Sequence, residues 1–449
     1  MTEQIIDIAN HAVNKAIKLG ASQAEAYVSS TRSFSIDVEN NSIKSANERR
    51  DSGCGVRAVV GKQIGFAYVT TIDESDIIAA AEQAVKLAKA SVEDPEFESL
   101  PSFDGNYPTI KGLLDNKIKT ISSEDAAALI VRCVDSTLEY SKKYKVATEA
   151  QLSANYGQRA LANSLGIHVS SESTSVFIFS YPTIKAENDQ TSSYDFQISR
   201  SLDDIKPEDI GKNAATSTIE NLGGKSIEGG DLPVIITPIA ASTILGNGFG
   251  NAVNAEEIQY GRSYISDAFG EQIASNTLRI VDDAVLESGI GSRPFDAEGY
   301  RSQKTEVISN GVLKSLLHNS YTANKDNVDN TGNASRPGYS GIPSISSSNL
   351  VIQPGKSSLD DLIEEVGTGV LCRNTGDRPN MTTGDLSAMV SEGHYFENGE
   401  IKHPLKSTLI GINMRDLLKR VTLVGSDSKV TPSTISPSIV IESAKITSG

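Results

Sequence analysis

The chain has 449 residues, enough for a large core and two or three domains, and 38% of them are hydrophobic. Its formal net charge is -16, and its clearest basic pair, Arg49-Arg50, is flanked by Glu48 and Asp51. Gripping phosphodiesters requires segregated Lys and Arg, so direct nucleic-acid binding is set aside.

No run approaches the roughly 18 apolar residues of a membrane helix. The start, Met1-Thr2-Glu3-Gln4, lacks the basic and apolar pattern of a secretory signal. Three separated cysteines, Cys54, Cys133 and Cys372, suit reduced thiols in a cytoplasmic protein rather than a disulfide scaffold.

Ile5, Ile6, Ala9, Ala12, Val13, Ala16 and Ile17 recur at helical spacing, and Gly20 ends the run. Strands are expected at 24–30 and 33–39, followed by a hairpin of 56–60 and 63–70 around Gly61-Lys62. A helix over about 75–90 leads into an aperiodic connection at 94–107, which holds Pro95 and Pro101. Ser122 and Ser123 start a helix over about 126–144. Strands at 145–156, 166–180 and 194–201 come next, and Pro207 opens a helix to about Leu222.

Gly223-Gly224 and Gly229-Gly230 mark the expected boundary between an N-terminal domain (1–222, sub-units about 1–108 and 109–222) and a strand-rich domain (225–449). In the latter, short buried-type strands are expected at 232–237 and 277–281, hairpins at Asn310-Gly311 and Asn398-Gly399, and helices near 358–366 and 414–420. The Gly-, Ser- and Asn-rich stretch 327–348 is long for a structureless loop, which points to a functional or mobile segment. The fold class expected is α+β: N-terminal α/β-type units with antiparallel strands, then a barrel-like antiparallel domain.

Chemistry is sparse. Zinc needs three or four side chains brought together, yet His11, His168, His318, His394 and His403 are scattered singly and no CxxC occurs. His394 and His403 flank a hairpin turn and could face each other across it, but two imidazoles make a weak site. There is no GxSxG elbow. Cys372, beside Arg373, has a neighbour able to activate a thiol, although a half-buried strand cysteine is the plainer reading. Gly246, Gly248 and Gly250 lack the Lys-Ser/Thr ending of a phosphate loop.

Ordered blocks along nearly the whole chain carry a resemblance. Gly53-Cys54-Gly55-Val56-Arg57 with Gly65-Phe66-Ala67, Leu161–Gly166, Pro294–Gly299, Glu397–Ile401 and Thr422–Asp427 are together similar to the TldD/PmbA family, once called modulators of DNA gyrase. The resemblance implies a two-subunit protease. TldD-type members carry a zinc-binding HExxxH motif and a cysteine ligand near the C-terminus; TldE/PmbA-type members lack them. Counting back from Gly261-Arg262-Ser263, the motif positions fall on Gly246 through Asn251. Gly246 and Asn251 stand where the histidines would be, Asn247 where the glutamate would be, and no cysteine follows Val424-Gly425.

An asparagine amide cannot shuttle the proton of a metal-bound water. Three glycines at roughly 1 kcal/mol each also weaken any helix there. The implied protein is a non-catalytic subunit that pairs with an HExxxH-bearing TldD-type partner holding the zinc, and that grips peptides or unfolded chains partly by strand addition. Two alternatives stay open: an active homodimer using His318, His394 or Cys372, and a non-proteolytic protein-binding modulator.

Overall fold

A computed structural model describes residues 2–102 and 105–449. Met1, part of the start read above, and Phe103 and Asp104, in the 94–107 connection, lie outside the described residues.

The first 220 residues build α1 (Thr2–Lys18), β1 (Gln23–Glu39), β2 (Ser42–Val60), β3 (Gln63–Val69), α2 (Glu74–Ala90), α3 (Asn116–Lys119), α4 (Ser123–Ser141), β4 (Lys145–Asn163), β5 (His168–Lys185), β6 (Gln190–Ser192), β7 (Asp195–Ser199) and α5 (Pro207–Glu220). Their strands form one antiparallel sheet in the order β3-β2-β1-β4-β5-β6, with β7 also beside β5. The regions anticipated as two sub-units share this sheet, because β1 pairs with β4 from Glu25 to Val38.

Even-numbered residues of β1 face the helices. Ala24, Ala26 and Val28 pack under α1 and α2, whereas Phe34, Ile36 and Val38 pack under α4 and α5. The sequence suggested a break between residues 30 and 33, but Ser30, Thr31 and Arg32 are paired on both sides, so β1 runs straight through. β2 likewise begins far before Val56. Ser42–Asp51 is almost wholly exposed and shows no apolar alternation, so its pattern gave no strand signal. Asn40 and Asn41, both at positive φ, form the tight turn that sets the β1–β2 register.

The C-terminal half builds two large sheets around its own core, with a separate two-stranded ribbon at 334–335 and 344–345. An eight-stranded, curled, half-barrel sheet runs in the order 385–389, 408–413, 439–448, 230–236, 369–374, 392–397 and 400–404, with 421–424 also paired to 439–448. A six-stranded sheet runs 312–313, 304–309, 280–283, 350–352, 434–436 and 429–430. The fold is therefore the α+β type expected. Its C-terminal sheets depart from pure antiparallel pairing in two places, where 370–372 lies parallel to 234–236 and 350–351 parallel to 434–435. Both hairpins expected at Asn310-Gly311 and Asn398-Gly399 form, with each Asn and Gly at positive φ.

Among the described residues no helix is long and apolar enough to cross a membrane.

Candidate functional site

The stretch 238–252 is helical throughout: an α-turn at Pro238–Ala241, a π-type segment at Ser242–Phe249, then Gly250–Ala252. The weak helix expectation at this point is corrected. The glycine penalty is offset because Ile244, Leu245 and Phe249 are buried in the main C-terminal core, and because the glycines let neighbouring elements approach closely. A Cβ built on Gly246 would lie 2.1 Å from Thr434 Oγ1, and one on Gly248 would lie 2.6 Å from Pro379 Cγ. π-type segments are rare and often occur at functional sites.

The three motif positions differ in burial. Gly246 is buried, Asn247 is half-buried and Asn251 is exposed. The Asn251 amide donates to the Asn247 carbonyl at 2.6 Å, one turn back. A hydrolytic zinc does not fit these residues: Gly246 offers no donor, the space a side chain would need is occupied by Thr434, and an amide committed to the helix backbone is a poor stand-in for imidazole.

The remaining candidates are not brought together. In the strand register His394 lies opposite Pro404 and His403 opposite Tyr395, so the two imidazoles point to opposite faces and the weak paired site that the sequence left open does not form. His394 is buried, with Nε2 3.3 Å from the Glu220 carbonyl, and burial holds its imidazole below the usual histidine range. Cys372 pairs with Gly393 while His394 pairs with Leu371, which puts thiol and imidazole on opposite faces of the sheet. Burial pushes the Cys372 thiol up to about 12, so it is a core residue rather than a nucleophile. Burial does the same to Cys54 and Cys133.

His318 is buried, 3.2 Å from Thr322 Oγ1, and borders a cavity of about 730 Å³ that Asp326 and Lys314 also line. His11 is at the surface near Glu74, and His168 contacts Asn10. Among the described residues no three His, Cys, Asp or Glu side chains gather where a metal ion could be held.

What the fold does bring together is a charged seam between the two halves. Glu25 of β1 is fully buried. It accepts from Arg57 Nη2 of β2 at 2.8 Å and pairs with Arg336 from the 327–348 stretch. Arg57 also donates to Glu298 at 3.0 Å, and the second oxygen of Glu298 accepts from the Ser320 N–H. Burial works to raise the Glu25 carboxyl, but Arg336 and Arg57 hold it below its ordinary range. Asp296 accepts from the backbone N–H groups of Glu298, Tyr300 and Ala334, yet burial and the charge of Glu298 push it up to about 7.

The 327–348 stretch is an integral part of this seam. Ala334–Ser335 pairs with Ser344–Ile345, and Tyr339 lies so close on β2 that a Cβ on Gly55 would come within 2.1 Å of its carbonyl. The blocks 53–57 and 294–299, noticed in the sequence only as family marks, thus meet in space. No local spacing foretold the pairing of Glu25 with Arg336, because the partners come from distant parts of the chain.

This architecture, two halves joined across a buried ionic seam with a glycine-rich helix in the second core, defines a class that comparison with known proteins identifies. Family models described as PmbA/TldA metallopeptidase domain 1, central domain and C-terminal domain match residues 24–88, 116–222 and 229–448. The chain belongs to the PmbA/TldD metallopeptidase family. It is 25% identical to the metalloprotease PmbA of Escherichia coli O157:H7, covering 98% of this chain and 96% of that protein. It is 28% identical to a metalloprotease TldD homolog of Buchnera aphidicola, covering 88% and 83%. The crystal structure of TldE from Thermococcus kodakarensis superposes with a TM-score of 0.91 at 25% identity, covering 98% of this chain and 99% of that one.

Proposed function

We propose that this chain is the non-catalytic, TldE/PmbA-type subunit of a cytoplasmic two-subunit metalloprotease whose zinc is held by an HExxxH-bearing partner. The observation that carries this reading is the filled motif: Gly246 presents no donor, and Thr434 Oγ1 lies where its side chain would start. Losing two imidazoles and the proton-shuttling carboxylate removes both the metal's grip and the base that hydrolysis needs. The likeness over nearly full length to both PmbA and TldD proteins supports membership of a paired system. In that system this chain completes the surface that holds an extended peptide, and the partner cleaves it.

Co-expression with a TldD-type protein of the same genome tests the assignment. The expected result is a stable heterodimer that cleaves unfolded polypeptide, with neither activity nor tight zinc in this chain alone. Peptide cleavage by this chain purified without a partner would overturn it.

A further inference from the structure

A second feature of the domain seam, independent of the subunit assignment, concerns its polar cavity. Odd-numbered residues of β1, β4 and β5 turn away from the helices. In the stretch where β1, β4 and β5 lie side by side, these are Ser29 and Thr31, Gly157 and Arg159, and Ser171 and Ser173. Loop 289–294 flanks them and leaves a partly open cavity of about 250 Å³. That is the space of roughly eight waters, enough for a small organic or inorganic ion.

Three arginines line it, and among the described residues none has a carboxylate within ion-pairing distance. Arg200 spends its donors on the carbonyls of Thr174, Gly289, Ile290 and Ser292, which fixes the loop. Arg159 donates to Ser171 Oγ at 2.9 Å and to the Phe295 carbonyl at 3.1 Å. Arg293 has one long contact of 3.5 Å, to the Ala334 carbonyl, and its buried Nε has no partner among the described residues.

Ser29, Thr31 and Ser173 carry no side-chain hydrogen bond among the described residues, and above Gly157 a built Cβ would stand 4.0 Å from both Ser173 Oγ and Thr31 Oγ1, so the floor is open. Glu172 touches the cavity's edge, but strand alternation sends its side chain to the opposite face, where it meets Lys119 at 3.2 Å and Gln158 at 2.7 Å. The carboxylates behind Arg293, Asp282 and Asp296, are fully engaged by neighbouring donors, and burial pushes both upward, which weakens them as counter-charges.

A chain of net charge -16 thus keeps, at the junction of its halves, a pocket of guanidinium and hydroxyl donors facing inward. Like charges crowded in a partly buried space are costly unless an anion joins them. We propose that this cavity is a binding site for a small oxyanion, a phosphate or a carboxylate, held by Arg159, Arg293 and the hydroxyls of Ser29, Thr31 and Ser173. Planar guanidinium forks suit both groups, and an occupied site would tie loop 289–294 to the sheet.

Isothermal titration of the full chain distinguishes the two sources, with inorganic phosphate in one arm and glycylglycine in the other, and glycylglycine amide as the control without a carboxylate. Saturable binding of phosphate, or of glycylglycine but not its amide, is expected. Arg293→Gln should weaken it about tenfold or more, and Thr31→Val with Ser173→Ala should weaken it less. Thermal melts without anion show whether the variants fold, and the milder hydroxyl pair keeps the test alive if Arg293→Gln does not. Absence of saturable binding at millimolar concentrations, or binding indifferent to these substitutions in folded protein, would overturn the assignment.

Discussion

The glycine-rich helix of 242–251 and the seam between the two halves are built in opposite ways. At the helix, backbone meets backbone and side chain at short range: Thr434 sits on Gly246, Pro379 on Gly248, and the surroundings are the apolar core. At the seam, ionisable groups are buried and paired in a relay, Arg336 to Glu25 to Arg57 to Glu298, beside a cavity that still has room. The first site has exchanged chemistry for packing. The second keeps charge in a poorly solvated place, which is affordable only because each carboxylate there has donors around it. A family resemblance at the level of motif positions says little about which regions of a subunit still hold ligand-binding groups; the surroundings of each position decide that.

The contrast can be broken most forcefully at the seam. Removing Glu25 leaves Arg57 and Arg336 buried around a missing partner, so Glu25→Ala should cost about 3–5 kcal/mol in denaturant unfolding. A cost within a few tenths of a kcal/mol would mean that the seam opens to water. At the helix the sign is the informative quantity. On an exposed helix Gly→Ala would stabilise by about 1 kcal/mol. Here Gly246→Ala forces a methyl against Thr434 and should destabilise by about 1–3 kcal/mol, with part of the loss recovered by adding Thr434→Ala. Stabilisation by the single substitution would show that the helix has slack.

The third expectation is read as the sign of a pH slope. The native state holds the Asp296 proton up to about pH 7, whereas an unfolded aspartate releases it near 3.8. The native form therefore binds more protons between those values, and this group's contribution to stability falls as pH rises through that window. Glu25 acts oppositely: its carboxyl is held low in the folded state, so its contribution is present above its unfolded value and is lost on acidification. Asp296→Asn should flatten the decline toward neutral pH while its side-chain oxygen still accepts from the Glu298 and Tyr300 N–H groups. An unchanged slope in melts across that range would assign the pH dependence elsewhere.

Much of this was legible in the chain itself, for identifiable reasons. α1, α2, α4 and α5 bury one clean stripe each, so their apolar spacing announces them. Gly61-Lys62, Asn310-Gly311 and Asn398-Gly399 lie in hairpin turns that little else would satisfy. The outer half of β2 was hidden because an exposed edge strand carries charge and polarity instead of alternation, which is also what guards it against adventitious pairing. The positions Gly246, Asn247 and Asn251 could be located by counting from a recognisable block. That Thr434 and Pro379 seal them, and that Glu25, Arg57, Glu298 and Arg336 converge, is long-range information with no local signature. Arg159, Arg200 and Arg293 went unnoticed for the same reason: isolated arginines in an acidic chain read as surface residues until the fold turns them inward.

The most direct measurement is metal content under matched conditions. The chain purified alone, exposed to zinc and freed of loosely held ions, should retain far less than one zinc per molecule, whereas its complex with an HExxxH-bearing partner should retain about one per heterodimer. One tightly held zinc per chain in the isolated protein, with a coordination sphere drawn from its own side chains, would contradict the account.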